Sequence, residues 1–188
     1  NGAITAGVFY KRVKNFEVLT RDGDPGSFNG IDYQEALIPI NGDAGDIFGI
    51  EASFAQTFDM LPAPFDGMLF QANYTYTDAT GTVPTDGDLA DLRDIALPSA
   101  SKNTFNVVLG YSKGGLDLRA AGTYRDGYLD ELGDDAATDR FVDNHFQLDL
   151  SARYDITSQI RIFAEWINVN DAKYFAFQTF NDRRRLLQ

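Results

Sequence analysis

Residues 116–125 have the sequence LDLRAAGTYR, in which apolar and polar side chains alternate along nearly the whole stretch. Successive side chains of a β-strand point to opposite faces, so a period of two predicts a strand with one apolar and one polar face. Residues 146–154, with the sequence FQLDLSARY, repeat the pattern. No segment carries a convincing amphipathic helical period. These stretches indicate an all-β fold.

The same alternation divides most of the chain into strands. Residues 50–58, 68–77 and 105–111 each place apolar or aromatic side chains on one face and polar ones on the other. We therefore predict seven strands and the start of an eighth near Arg183. The seven lie at about 3–19, 47–58, 67–78, 102–112, 115–128, 143–154 and 159–170.

The connections between these strands alternate in length, which narrows the class of β protein. Three of them are short, at 59–66, 113–114 and 155–159. Four are long, at 20–46, 79–101, 129–142 and 171–182, and the first could hold a hairpin of its own around Ile31–Ile40. Outer-membrane β-barrels have short periplasmic turns and long extracellular loops. The alternation therefore predicts a transmembrane antiparallel barrel wall.

Composition excludes several other classes. The 188 residues have a net charge of −12, which argues against a nucleic-acid surface. There is no cysteine, so disulfides and thiolate metal sites are excluded, and the single histidine, His145, cannot form a zinc site or a catalytic relay alone. No apolar run approaches the roughly 20 residues of a membrane helix, but barrel strands cross the bilayer without such runs.

Charge is distributed according to the predicted topology. Segments 20–46, 78–94 and 126–143 carry net charges of −5, −4 and −6, which leaves the rest of the chain at +3. The acids thus lie in the predicted extracellular loops, while the strands are close to neutral. A bilayer favours this division, because a charge on the lipid face at mid-depth costs roughly 2–4 kcal/mol.

Four stretches resemble one family of outer-membrane proteins when they are taken in order. The first is Gly49-Ile-Glu51 with Leu61-Pro62 and GMLFQANYTY at 67–76, and the second is LPSASKNTFN at 97–106. The third is RDGYLDEL at 125–132, leading through Asp139-Arg140 to Asp143, and the fourth is FAEWIN at 163–168 with Asp171 and then RRLLQ at 184–188. Their order and spacing resemble the C-terminal part of the barrel of TonB-dependent outer-membrane receptors. The resemblance is strongest to the large branch found in Caulobacter- and Xanthomonas-like bacteria.

The resemblance implies a fold and a function. The fold would be a 22-stranded barrel closed by an N-terminal plug, of which residues 1–188 supply about the final eight strands as a single barrel domain. The plug and the TonB-binding segment are expected to lie outside this sequence. The function would be TonB-driven import of a scarce nutrient across the outer membrane of a Gram-negative bacterium. Neither an enzymatic activity nor a cofactor or metal is expected.

Two sets of residues are candidates for contact with a solute. Tyr128, Phe141 and Tyr174 lie near the bases of the long loops and could face an extracellular ligand. Polar side chains of the strands could line the lumen: Glu51, Asn73, Asn106, Arg119, Arg125, Asp149, Arg153, Arg161 and Glu165. The alternative for the second set is cross-strand ion pairing, expected above all for Arg119, Arg153 and Arg161, together with hydrogen bonds to the plug.

The substrate and the partners follow less directly from the sequence. Acidic loops disfavour a strongly anionic solute, and aromatic side chains near a polar rim suit sugar rings, so an oligosaccharide is expected, with an iron complex as the alternative. The acid pairs Asp130/Glu131 and Asp134/Asp135 are expected to be solvated, or bridged by divalent cations to lipopolysaccharide, rather than to bind calcium as a protein site. His145 is expected to form hydrogen bonds at the extracellular rim.

Two other functional classes remain open at this point. A small self-contained outer-membrane barrel could serve as an adhesin or a structural protein. A soluble extracellular β-domain could bind carbohydrate, since alternation alone does not distinguish a membrane wall from a sheet with one solvated face.

Overall fold

The computed structural model describes residues 2–22, 25–34, 36–85, 88–133, 135–180 and 183–187. Within these ranges the regular structure is entirely β, apart from one 3₁₀ turn at Phe65–Gly67. The strands are β1 (Gly2–Lys14), β2 (Glu17–Asp22), β3 (Gly26–Phe28), β4 (Ile31–Tyr33), β5 (Ala36–Asn41), β6 (Ala44–Thr57), β7 (Met68–Thr85), β8 (Asp88–Ala96), β9 (Asn103–Lys113), β10 (Leu116–Arg125), β11 (Tyr128–Glu131), β12 (Arg140–Val142), β13 (His145–Asp155), β14 (Arg161–Trp166), β15 (Ala176–Phe180) and β16 (Arg183–Leu187). No helix in these ranges is long and apolar enough to span a bilayer.

Seven strands form one antiparallel sheet, which we call the wall. Their order is β1-β6-β7-β9-β10-β13-β14, and β8 pairs with the far part of β7 to complete an eight-stranded sheet. The register keeps side chains of one kind in a row: Ser53, Asn73, Asn106 and Thr123 are successive cross-strand partners. The predicted fold class, part of an antiparallel β-barrel, is confirmed.

The opposite face of the wall is apolar. Tyr111, Leu118, Ala152 and Ala164 are successive cross-strand partners on it. Large apolar side chains stand out from this face, including Val8 at 75% exposure and Trp166 at 63%. An exposed apolar surface of this extent is a contact surface, and a bilayer satisfies it with lipid.

Short turns close one end of the wall, as predicted. Gly114 and Gly115 join β9 to β10 with φ of 61° and 84°. Two positive φ values define a type I′ turn, which suits the twist of a hairpin and favours glycine. The other two short connections contain the 3₁₀ turn and residues 156–160, where the Thr157 hydroxyl oxygen accepts hydrogen bonds from two backbone N–H groups.

The long connections lie where the sequence predicted them, and the hairpin expected within 20–46 is present, but all four contain more strand than predicted. Segment 79–101 is mostly strand, because β7 runs on to Thr85 and returns as β8. The predicted strand 3–19 is interrupted at Asn15, whose φ of 53° ends β1, and β2 then pairs with β5 around the small hairpin β3–β4. Segments 129–142 and 171–182 also contain strands, namely β11, β12 and β15.

These additional strands lie along the chain at the ends of the wall strands opposite the short turns. A second sheet has the order β11-β12-β15-β16, in which β11 follows β10, β12 precedes β13 and β15 follows β14 along the chain. The predicted eighth strand near Arg183 is β16, which pairs with β15. We call β2–β5, residues 79–85 of β7, β8, β11, β12, β15 and β16, with the segments that join them, together the loop layer.

The loop layer contains a packed hydrophobic core. Its buried side chains are Val18, Val83, Ile95, Leu129 and Leu132, with Phe16, Ile40 and Phe141 packed against them. Val83 and Leu132 are 0% and 1% exposed. Burial of an aliphatic side chain stabilises a fold by about 1.5–3 kcal/mol. The segments between wall strands are therefore a folded unit, built from the inner faces of several hairpins.

Candidate binding surface of the wall and loop layer

The register places all nine predicted lumen-lining side chains on the polar face of the wall. Glu51, Thr75, Thr104 and Arg125 form one row across β6, β7, β9 and β10. Arg119, Ser151 and Glu165 form another across β10, β13 and β14. Which of these side chains contact a solute stays a prediction.

Charged side chains of the polar face line a cavity of about 500 Å³ towards the short-turn end, including Asp117, Arg119, Arg153, Arg161 and Glu165. Arg153 pairs with Asp117, and Arg161 pairs with Asp155. Among the described residues, Arg119 forms neither an ion pair nor a hydrogen bond to a side chain.

Other predicted lumen residues have structural partners. The Asn106 side-chain amide donates to the Asn73 side-chain oxygen at 2.9 Å. Asp149 Oδ1 accepts from the backbone N–H of Asn168 at 2.7 Å and from Gln147 Nε2 at 2.9 Å. This carboxylate therefore fixes the point at which the chain leaves β14.

Arg125 connects the wall to the loop layer. Its Nε donates to Ser101 Oγ at 2.6 Å, and its Nη2 donates to the Ser99 carbonyl at 2.7 Å. The guanidinium also lies 3.9 Å from the ring centre of Tyr128. Ser101 in turn donates to the carbonyl of Asp126 at 2.9 Å. The LPSASKN stretch is thus a hydrogen-bonded joint that holds the ends of β8, β9 and β10 together.

Two arginines organise the acids of the loop layer. Arg93 forms a bidentate pair with Asp139, at 2.7 and 2.8 Å, and Asp139 also accepts from the Gly133 N–H at 2.9 Å. Arg140 contacts both Asp130 and Glu131 at 2.7 Å.

Asp135 accepts from the N–H groups of Ala137 and Thr138, as in an Asx turn. Asp134, its predicted neighbour in an acid pair, lies outside the described residues.

A pocket of about 510 Å³ opens between the β2–β5 hairpin and β11–β12. It has an apolar part and a charged part. The apolar side chains are Phe16, Val18, Leu19, Leu37, Leu97 and Pro98, and the charged ones are Glu17, Asp130, Glu131 and Arg140. A pocket of this size, apolar with a few polar groups, is typical of a small-molecule site.

The three predicted ligand-facing aromatic residues lie in different settings. Phe141 packs against the buried core and stacks on Phe177, with ring centres 5.8 Å apart. One face of Tyr128 is covered by Arg125. Tyr174 is 72% exposed. Ligand contact by these residues stays a prediction, and exposure favours Tyr174.

His145 has an environment that the sequence did not suggest. It is 7% exposed and stacks on Tyr174, with ring centres 3.8 Å apart and planes inclined by 9°. Its Nδ1 lies 3.4 Å from the carbonyl of Lys173, and its buried Nε2 has no hydrogen-bond partner within the described part of the chain. No group of three or more metal-ligating side chains occurs in that part.

Several structural residues were missed at the sequence level, although some left a signal. Arg93 and Arg140 are the only basic residues in segments 78–94 and 126–143, and each forms an ion pair with acids of the loop layer. Asn168 and Asn170 left a weaker signal, as turn-forming residues after an aromatic strand. Asn168 forms two hydrogen bonds with the backbone of Ala172, and Asn170 forms two with the backbone of β13.

An antiparallel wall with an apolar outer face, short turns at one end and a folded layer at the other defines the chain as part of an outer-membrane type β-barrel. The chain matches the family described as TonB dependent receptor-like, beta-barrel, over residues 1–169. It belongs to this family of TonB-dependent receptor barrels, whose members are outer-membrane receptors and transporters. Neither the curated proteins nor the solved structures give a match.

Proposed function

We propose that the chain forms part of the barrel of a receptor in the outer membrane of a Gram-negative bacterium, importing a scarce solute with energy supplied through TonB. The family match over residues 1–169 is the observation that carries this proposal. We assign residues 170–188 to the same barrel domain, because β15 pairs with β12 and β16 with β15. The similarity of the four sequence stretches supports placement in the Caulobacter- and Xanthomonas-like branch.

The orientation of the barrel is open to a direct test in intact cells. The short turns are assigned to the periplasm and the loop layer to the medium. An impermeant thiol reagent should therefore label Ala136→Cys, in the exposed turn after β11, and should leave Ser158→Cys unlabelled. Labelling of Ser158→Cys alone would reverse the orientation. Labelling of neither, in cells where both react after lysis, would contradict surface exposure.

The loop layer is the proposed site of first contact with the solute. The 510 Å³ pocket, with Phe16 beside Glu17, offers an apolar surface and a carboxylate, a combination that suits the faces and hydroxyl groups of sugars. Tyr174 adds an exposed ring. We therefore favour a neutral oligosaccharide, with an iron complex as the second candidate. The remaining acids would contact lipopolysaccharide through divalent cations.

Growth experiments distinguish the two substrates. A strain lacking the receptor is compared with its parent on single oligosaccharides and, separately, under iron limitation. A defect restricted to one sugar, reproduced by loss of TonB and by Tyr174→Ala, supports sugar import. Tyr154→Ala, at an exposed tyrosine on the apolar face, is the matched control and should grow normally. A defect seen only when iron is scarce would exclude the sugar.

A further inference from the structure

The apolar face of the wall carries one groove that differs from the rest of that face. It has a volume of about 810 Å³, within the roughly 300–1,000 Å³ range of ligand pockets. Small side chains, Ala120, Ala152 and Ala164, form its floor. The larger side chains that line it are Phe65, Met68, Leu109, Tyr111, Leu118, Leu150 and Trp166. The register places the strand residues among these on the lipid-facing side, whereas Arg119, Ser151 and Glu165, which also border the groove, belong to a row of the polar face.

The position of the groove restricts it to one leaflet. The groove covers two rows of cross-strand partners, one that contains Tyr111 and one that contains Leu109. The next row on this face towards the short turns contains Lys113. From Lys113 to Leu109 is four residues, or about 14 Å along the strand. With a strand tilt of about 40°, this is about 10 Å along the membrane normal, less than half of the roughly 25 Å apolar band of such barrels. The groove therefore faces the acyl chains of the periplasmic leaflet.

An ion pair lies at the short-turn end of this groove. Lys113 shares the face of Tyr111 and pairs with Asp66, which follows the groove residue Phe65 in the 3₁₀ turn. The turn packs closely on the end of β9, since a Cβ on Gly67 would lie 2.7 Å from the carbonyl oxygen of Ser112. The two side chains are 37% and 34% exposed, so a headgroup can reach both charges.

We infer that this groove is a binding site for a zwitterionic glycerophospholipid of the periplasmic leaflet. An acyl chain lies over the three alanines, the phosphate contacts the Lys113 ammonium, and the lipid's primary ammonium contacts the Asp66 carboxylate. When the lipid binds, the ion pair between Lys113 and Asp66 is thus replaced by two ion pairs, one between Lys113 and the phosphate and one between Asp66 and the ammonium. A second apolar groove on the same face, around Ala52 and Ala72, meets β9 at Phe105 and Val107, farther from this ion pair, so it lacks this complementarity.

The inference rests on the proposed orientation of the barrel but not on the identity of the solute, so it can be tested apart from any substrate. The full-length protein is extracted from the outer membrane in detergent, and the retention of phosphatidylethanolamine and phosphatidylglycerol with identical acyl chains is measured by native mass spectrometry. Ala152→Phe and Ala164→Phe fill the groove and should each weaken retention of phosphatidylethanolamine about tenfold. Ala72→Phe makes the same change on the same face outside the groove and should leave retention unaltered.

The headgroup contacts are tested with two neutral variants. Lys113→Gln should weaken binding of both lipids, because both contain phosphate. Asp66→Asn should weaken binding of phosphatidylethanolamine alone and remove its preference over phosphatidylglycerol. Two variants at the groove floor keep the test decisive if one fails to fold. Retention of phosphatidylethanolamine by both filled variants at the level of Ala72→Phe would overturn the site, and an unchanged lipid preference in Asp66→Asn would overturn the headgroup assignment.

Discussion

The wall and the loop layer share strands but are stabilised differently. The buried apolar side chains of the described residues, among them Val18, Val83 and Leu132, all lie in the loop layer. The wall instead exposes both faces, and its strands are joined by long, regular ladders such as the thirteen partners between β1 and β6. Along β7 the change occurs within one strand, since Ala72 faces lipid and Val83 is fully buried.

The difference shows how the solvent determines what a strand requires. In the wall, lipid covers the apolar face, so backbone pairing and an apolar outer surface suffice. Beyond the bilayer, water surrounds the strands, and the inner faces must bury side chains against one another as in a soluble protein. The loop layer should therefore respond to core and ion-pair mutations, and the wall to charges on its outer face.

The largest effect is expected at the buried ion pair of the loop layer. Asp139→Ala removes the bidentate carboxylate partner of the largely buried Arg93 guanidinium, and loss of one partner of a buried pair costs roughly 3–5 kcal/mol. Asp117→Ala in the exposed wall pair with Arg153 is the matched control and should have a far smaller effect. Hydrogen exchange of residues 128–142 should accelerate only in Asp139→Ala. Equal exchange in both variants would contradict the separation of the two regions.

A leucine from each region provides the second comparison. Leu132→Ala removes a 1% exposed side chain from the loop core and should cost roughly 2–5 kcal/mol through lost burial and the cavity left behind. Leu148→Ala, on the apolar face of the wall, should cost much less, because lipid fills the vacated space. Limited proteolysis of the loop layer and thermal unfolding of the barrel measure the two separately. A protease-resistant Leu132→Ala variant would argue against a packed core there.

A charge on the lipid-facing side of the wall should destabilise the barrel more than a charge on its polar side. Leu148→Arg places a charge in lipid and should cost roughly 2–4 kcal/mol. Thr123→Arg, on the opposite face of the neighbouring strand, should be milder because that face is polar. Heat-modified mobility of the refolded barrel on gels reports the fraction folded. Similar losses at the two positions would be incompatible with a lipid-facing wall.

The smallest effect concerns the short turns and depends on pH. A hydrogen bond from Lys113 holds the pKa of Asp66 below its ordinary value of 3.8. A carboxyl group with a lower pKa in the folded state adds stability above its unfolded pKa, and this stability is lost as pH falls through the folded pKa. The stability difference between the wild type and Lys113→Gln should therefore be full at neutral pH and disappear well below pH 3.8. A difference that is constant with pH would exclude this ionic contribution.

The sequence predicted the wall well and the loop layer poorly, for a physical reason. The sequence predicts a strand at 102–112, and β9 lies at Asn103–Lys113. The agreement is close because lipid on one face of the wall imposes a strict alternation of apolar and polar side chains. Beyond the bilayer the outer face of a strand contacts water, so its two faces differ less in hydrophobicity. Gly81 and Pro84 in β7 also resemble turn residues, although both are paired within the sheet there. The sequence of segment 79–101 therefore predicts a loop.

The candidate site shows the same limit. Alternation was enough to assign the nine polar wall residues to one face. It could not show that Asp139, among seven acids of its segment, is the partner of Arg93, because 46 positions separate the two residues. The pocket between β2–β5 and β11–β12 likewise depends on how separate hairpins pack, and no local pattern encodes that arrangement.

The stack of Tyr174 on His145 has a spectroscopic consequence. His145 is the only histidine in these 188 residues, and the tyrosine ring lies parallel to it at 3.8 Å. Its imidazole carbon-bound protons should experience a strong ring current and resonate upfield. In an NMR spectrum of the protein with labelled histidine, His145 would then give one signal for each of these protons. A change in its chemical shift when a solute binds would show that the chain around Tyr174 has moved.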